Sequence, residues 1–168
     1  MTLDQLNELT AQDAEAEFLK CCGSRAWAKA MMASRPFANQ EEVFAKADDI
    51  SASLTDEDWW EAFRAHPRIG EQKAATAQSA QEKSWSSQEQ SAMKSASEDT
   101  IAQLAEGNRQ YDKKFGFIFI VCASGKSPEE MLAMLNHRLN NDSRTELSVA
   151  AQEQQKITRL RLEKLLNQ

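Results

Sequence analysis

KFGFIFIVCASG, residues 114 to 125, is the only strand-like run in this chain of 168 residues. Its aromatic and β-branched residues favour extended backbone. A strand must hydrogen-bond its main chain to a partner, and the sequence contains no second run of this kind. We therefore predict one extended, buried segment near residues 115–123, without a β-sheet around it.

The rest of the chain shows the helical spacing of apolar residues and clear helix starts. Thr10 and Thr55 precede acidic residues that suit a helix N-terminus, and Ser127-Pro128-Glu129-Glu130 combines a cap with proline at the first helical position. The sequence predicts an all-α protein, a single-domain bundle of about eight helices over residues 1–168. No internal repeat or linker interrupts it.

Two helix boundaries matter for the candidate site. The helix after Thr55 is predicted to end at His66, because Pro67 restricts the backbone of the residue before it. A long helix is predicted from Ser86 or Ser87 to about Tyr111. The polar, alanine-rich stretch between them, residues 70–85, is predicted to be a loop and a candidate lid over a functional site.

Composition excludes several classes of function. The net charge of −6 provides no basic surface for nucleic-acid phosphates. No run of 18 apolar residues predicts a membrane span, and the N-terminal residues do not resemble a signal peptide, so the cytoplasm is the expected location. Three cysteines, Cys21, Cys22 and Cys122, form neither a disulfide framework nor a zinc-ligand spacing, so we expect no metal.

The four tryptophans, Trp27, Trp59, Trp60 and Trp85, are predicted to lie in the core, with Trp85 also a candidate contact for the loop. Cys122 is predicted to be a small buried hydrophobic residue, because no basic neighbour suggests a reactive thiolate.

His66 is one of only two histidines, and it stands at the predicted end of a helix. In one interpretation it only caps the last carbonyl groups of that helix. In the other it transfers protons, since histidine is the side chain best suited to this near neutral pH. Position alone does not decide between them.

Two further features allow both a structural and a functional interpretation. Ser86 and Glu89 have capping-box spacing, and the same helix start could offer N–H groups to a ligand while Glu89 orients a histidine. Arg161 is either solvated on its helix or directed inward. An inward arginine needs an anionic partner, and a substrate carboxylate would serve.

Four blocks occur in a definite order along the chain: FRAHPRIG (63–70), S-x-x-E-Q (86–90), NRQYDKKFGFIFIVCA (108–123) and HRLNNDSRTELSVAAQEQQKITRLRL (137–162). Together they resemble the family of 2-oxo-4-hydroxy-4-carboxy-5-ureidoimidazoline (OHCU) decarboxylases, which act between urate and allantoin. The resemblance covers residues 10 to 166. The short pairs are common in proteins, but the ordered set is specific.

The resemblance implies an all-helical lyase without a cofactor, usually a homodimer, that converts a small anionic heterocycle to (S)-allantoin. It implies that His66 is the catalytic histidine and that Glu89 supports it. The residues that it implies for substrate binding are Pro67, Ser86, Gln90, Phe119, Ile120, Val121, Cys122, Ala123 and Arg161.

The competing hypothesis is a non-catalytic helical module that binds partner proteins through the 70–85 loop and an apolar face. Convergence of His66, Glu89 and Arg161 on one small pocket would favour the enzyme, because a partner-binding module has no reason to gather them.

Overall fold

The computed structural model describes residues 1–67 and 96–167, and this part of the chain contains eight α-helices. The predicted loop at residues 70–85 and the block from Ser86 to Gln90 lie outside the described residues. No β-strand occurs in the described ranges, so the predicted all-α class is confirmed. The helices are α1 Leu3–Glu8, α2 Ala11–Cys21, α3 Arg25–Ala33, α4 Gln40–Ala52, α5 Asp56–Arg64, α6 Glu98–Phe115, α7 Pro128–Arg138 and α8 Ser143–Leu166.

Side-chain caps begin several of these helices, as the sequence predicts. Thr10 Oγ1 accepts a hydrogen bond from the Asp13 N–H at 3.1 Å at the start of α2. At the start of α7, Ser127 Oγ accepts from the Glu130 N–H at 3.1 Å while the Glu130 carboxylate accepts from the Ser127 N–H at 2.7 Å. Each cap satisfies main-chain donors that the helix leaves unpaired.

Two predicted helix boundaries were wrong. Helix α5 ends at Arg64 and not at His66, because the backbone tightens into a turn in which the His66 N–H donates to the Phe63 carbonyl at 3.1 Å. Residues 96 and 97 are not helical, so one continuous helix to Tyr111 is also wrong. Ser97 instead caps α6, and Gly116 ends it in the left-handed region with a φ of 78°.

The chain divides into two compact units, one formed by Met1–Ala62 with Gln154–Gln168 and the other by Phe63–Glu153. The single domain over residues 1–168 stays a prediction. In the first unit, the Phe18 ring packs edge-on against Trp27 at 6.0 Å between centroids. The Trp27 indole N–H donates to the Ala47 carbonyl at 3.3 Å, which joins α3 to α4.

The prediction of four core tryptophans is wrong for Trp60. Trp27 and Trp59 are buried, whereas 40% of Trp60 is exposed. Successive residues of a helix are about 100° apart around its axis, so Trp59 and Trp60 cannot both face the core. Trp85 lies outside the described residues.

In the second unit, α6 and α7 approach closely at Gly107. A Cβ atom at this position would stand 2.6 Å from Leu135 Cδ2, so a side chain here would displace the Leu135 side chain. One turn further along α6, the buried Tyr111 packs against Phe115, Phe117 and Phe119 with ring centroids 4.7, 5.7 and 5.4 Å away. This aromatic cluster holds the start of the predicted extended segment.

Candidate active site

The segment after Gly116 is neither helix nor strand, and the side chains of Phe117 and of residues 119–123 are buried. The predicted non-helical buried segment is therefore confirmed. Buried main chain needs hydrogen-bond partners that a helix or sheet would otherwise supply. The partners found for this segment show how the unit is built.

Arg138, at the end of α7, supplies the first of these partners. Its Nη1 donates to the Ile120 carbonyl at 2.7 Å, and its guanidinium lies 4.6 Å from the centroid of the Phe119 ring. Only 4% of Arg138 is exposed, so its charge needs compensation inside the protein.

Glu146 of α8 provides that compensation. Its Oε1 atom accepts hydrogen bonds from Arg138 Nε, at 2.6 Å, and from the Tyr111 hydroxyl group, while Asn141 Nδ2 donates to Oε2 at 2.9 Å. Burial, followed by the hydrogen bond to Glu146, raises the pKa of Tyr111 above its ordinary value. Tyr111 therefore remains a neutral hydrogen-bond donor in this buried network.

Glu153, two turns after Glu146 on α8, engages the same segment. Its Oε2 accepts a hydrogen bond from the Cys122 N–H at 2.7 Å, and only 4% of the residue is exposed. Lys126 Nζ donates to the Cys122 carbonyl at 2.7 Å. Both main-chain groups of Cys122 are therefore held by charged side chains.

Phe119 and Val121 lie on either side of Ile120, whose carbonyl is bound by Arg138. Both residues are buried, with 2% of Phe119 and 7% of Val121 exposed. Within the described part of the chain, no hydrogen bond engages the main chain of either residue. Their N–H and C=O groups are therefore available to a bound molecule.

His66 belongs to the same compact unit as this segment. Only 8% of it is exposed. The His66 main-chain N–H donates to the Phe63 carbonyl, and the centroid of the Phe63 ring lies 5.1 Å from that of the Phe117 ring. The end of α5 and the start of the buried segment are thus in contact, and Pro67 follows directly.

Arg161 lies on α8 in the other unit, and 8% of it is exposed. The interpretation of a solvated arginine is therefore wrong. Its Nη1 donates to the Lys20 carbonyl at 3.3 Å. Its role in ligand binding stays a prediction.

The adjacent Cys21 and Cys22 lie near Arg161 in this first unit. Burial raises the pKa of Cys22 to about 11 and raises that of Cys21 further, although the positive charge of Arg161 opposes both shifts. Neither thiol is a nucleophile near neutral pH. Cys122 is buried with 6% exposed, as predicted.

A small open cleft also lies in the first unit, between α4 and α8. None of the predicted site residues lines this cleft. Its lining residues include Phe44, Asp48, Thr158 and Arg159. It is therefore not the candidate active site.

Sequence reasoning assigned no role to the buried charged side chains of this unit. The helical spacing of the sequence does indicate that these charged side chains are buried. Arg138 continues the apolar face of Met131 and Leu135, and α8 places Glu146 and Glu153 on the same face as Ala150 and Ile157. A charge at an apolar position of a helix indicates a buried polar partner.

The described residues contain no helix that is long and apolar enough to cross a membrane.

Comparison with known proteins identifies relatives of the chain. The model of the OHCU decarboxylase family matches residues 7–163. The chain is 42% identical to the uric acid degradation bifunctional protein TTL of Arabidopsis thaliana over 91% of its own length, but it spans only 47% of that protein. It is 30% identical to the 2-oxo-4-hydroxy-4-carboxy-5-ureidoimidazoline decarboxylase of Amia calva, covering 99% of this chain and 95% of that protein.

Solved structures give a consistent result. A crystal structure of OHCU decarboxylase in the presence of (S)-allantoin superposes with a TM-score of 0.77 at 40% identity, covering 90% of this chain and 98% of that chain. A crystal structure of (S)-allantoin synthase superposes with a TM-score of 0.74 over 99% of this chain and 54% of that chain. At 17% identity, this second likeness concerns the fold alone.

Proposed function

This chain belongs to the OHCU decarboxylase family, and from that premise we propose that it converts 2-oxo-4-hydroxy-4-carboxy-5-ureidoimidazoline to (S)-allantoin in urate degradation. The proposed substrate and product are those that appear in the names of the relatives given above. The structural observation that carries the proposal is the buried His66 beside a buried segment with unengaged main-chain groups. A proton-transfer group and polar recognition groups thus occur in one unit.

The chemistry requires no metal or organic cofactor in this proposal. The bond between the ring carbon and the carboxylate breaks, and carbon dioxide leaves. The electron pair that remains on C4 is delocalised into the adjacent C5=N bond of the imidazoline ring, which takes up a proton on nitrogen and leaves an enol between C4 and C5. The C4 hydroxyl then loses its proton as C4 becomes a carbonyl carbon, and a proton is added to C5, the carbon that bears the ureido group, from one face, which makes the product a single enantiomer.

His66 handles this proton. Its burial excludes bulk water as a competing proton donor, and an imidazole transfers protons efficiently near neutral pH. Glu89 orients the ring and raises its affinity for a proton, as a carboxylate does in other histidine–acid pairs.

Recognition is divided between charge and main-chain groups. Arg161 binds an anionic edge of the substrate with its planar guanidinium, which the net charge of −6 makes necessary. The main chain of Phe119 to Ala123 binds the urea-like and amide edges. Pro67, Ser86 and Gln90 complete the contacts.

The proposal includes a homodimer, for which the family resemblance is the support, and a location in the cytoplasm. Dimerisation is measured by size-exclusion chromatography coupled to multi-angle light scattering. A mass of one chain throughout the concentration range of the assay contradicts it.

The function itself is tested with freshly generated substrate. Carbon dioxide release and the circular dichroism of the product are followed together, with and without the protein. Protonation without an enzyme has no facial preference, so an optically active product demonstrates catalysis. Racemic product at the uncatalysed rate contradicts the proposal and supports the interaction-module hypothesis.

A further inference from the structure

Two buried charged side chains hold two successive peptide groups of the segment. Arg138 Nη1 donates to the Ile120 carbonyl at 2.7 Å, and Glu153 Oε2 accepts from the Cys122 N–H at 2.7 Å. Each of the two side chains is 4% exposed. The residue between the two hydrogen-bonded groups is Val121.

The planarity of the peptide bond fixes what these contacts do to Val121. The Ile120 carbonyl and the Val121 N–H belong to one peptide plane and point in opposite directions. The Val121 carbonyl and the Cys122 N–H form the next plane. With Arg138 and Glu153 holding the outer groups, the Val121 N–H points away from Arg138 and the Val121 C=O points away from Glu153.

Packing alone does not explain the charges. On α8, Glu146 and Glu153 occupy the buried face between and beside Ala150 and Ile157. Apolar residues of similar volume at such positions are often neutral or stabilising relative to a buried ion pair. A rotated peptide would lose its hydrogen bond to one of these buried charged groups, so the two contacts favour one backbone direction.

We propose that Glu153 and Arg138 are positioning residues, which fix the Val121 N–H and C=O in the direction from which the substrate binds. This inference rests on the function proposed above. One fixed donor beside one fixed acceptor is complementary to a ureido or ring-amide edge, which presents an acceptor beside a donor. Fixing both groups before binding removes an ordering cost from recognition.

Glu153 provides the sharper test, because Arg138 also neutralises Glu146. Glu153→Gln retains an oxygen acceptor at the same distance without the charge, whereas Glu153→Asp retains the charge but moves the oxygen by one methylene. A positioning role predicts that Glu153→Gln keeps kcat/KM within about threefold, while Glu153→Asp and Glu153→Ala weaken (S)-allantoin binding by about tenfold or more. In these two variants KM should increase by a larger factor than kcat decreases.

The direct readout is the Val121 amide resonance during titration with (S)-allantoin. It should shift in the wild-type protein and in Glu153→Gln, and the shift should be lost in Glu153→Ala. The matched control is Leu135→Ala, a fully buried residue of the same unit. Leu135→Ala should be less stable to urea than the wild-type protein but should bind (S)-allantoin with unchanged affinity. The comparison with Glu153→Ala is made at a temperature where both variants are folded.

The outcomes separate the two proposals. No turnover by the wild-type protein refutes the proposed function itself. Turnover with unchanged affinity in Glu153→Asp, or equal affinity losses in Leu135→Ala and Glu153→Ala, overturns the positioning role alone. If Glu153→Ala does not fold, the contrast between Glu153→Gln and Glu153→Asp decides.

Discussion

Arg138 Nε lies 2.6 Å from Glu146 Oε1, and both residues are almost completely buried, with 4% and 0% exposed. The pair joins the end of α7 to the first turn of α8. Because the same guanidinium also binds the Ile120 carbonyl, this ion pair supports the segment that forms the candidate site.

Breaking this pair from one side should be strongly destabilising. Arg138→Met leaves the Glu146 carboxylate buried without its cation, which typically costs about 3–5 kcal/mol of the free energy of unfolding. The double variant Arg138→Met/Glu146→Leu removes both charges and should lose less than the sum of the single losses. Urea unfolding of all four proteins measures the coupling, and additive losses would show that the ion pair contributes nothing.

Stability should fall at alkaline pH because of Cys22. Its pKa is raised by burial to about 11 from 9.0, so the unfolded chain ionises first as the pH rises. The contribution is complete below pH 9 and is lost as the pH rises through about 11, to a total of about 3 kcal/mol. Urea unfolding at each pH should show a shallower decline in Cys22→Ala. Identical declines in both proteins would mean that this thiol does not contribute.

His66→Ala should reduce enantioselective turnover by about a hundredfold or more, because it removes the proposed general acid and base. The matched control is His137→Ala, which changes the only other histidine at an exposed position of α7. Far-ultraviolet circular dichroism checks that both variants are folded. Equal activities of the two variants would remove His66 from the mechanism.

Glu89→Gln should lower kcat by more than about threefold, since a neutral amide holds the imidazolium less strongly than a carboxylate. The pH at which kcat is half-maximal should also move to lower values, because the histidine loses a stabilising negative charge. A pH–rate profile measures both effects. A smaller change in kcat with an unmoved profile would leave Glu89 only as a helix cap.

Arg161→Ala should weaken the binding of (S)-allantoin by about tenfold to a hundredfold, the usual consequence of losing hydrogen bonds from a charged group. Its effect on kcat should be smaller. Arg159→Ala is the control, because Arg159 is on the same helix with half of its side chain exposed and pairs with Glu163 at 3.3 Å. Calorimetric titration compares them, and equal affinities would exclude Arg161 from the binding site.

Helix starts were predictable because a cap is a local interaction. Thr10 and Ser127 each bond to a main-chain N–H three residues away, so the pattern of residues contains the whole interaction. The start of α6 was missed although Ser97 is followed by two acidic residues, Glu98 and Asp99, because the helix was predicted to begin at Ser86 or Ser87.

The sequence by itself determined the helical class, the buried non-helical segment and the family, because these depend on local spacing and on an ordered set of short blocks. Only the tertiary structure decided which charged side chains hold that segment. Cys122 and Glu153 are 31 residues apart in the chain, and their hydrogen bond exists because α8 packs against the segment. Whether a charge on a helix is solvated or buried depends on that packing, which helical periodicity alone does not specify.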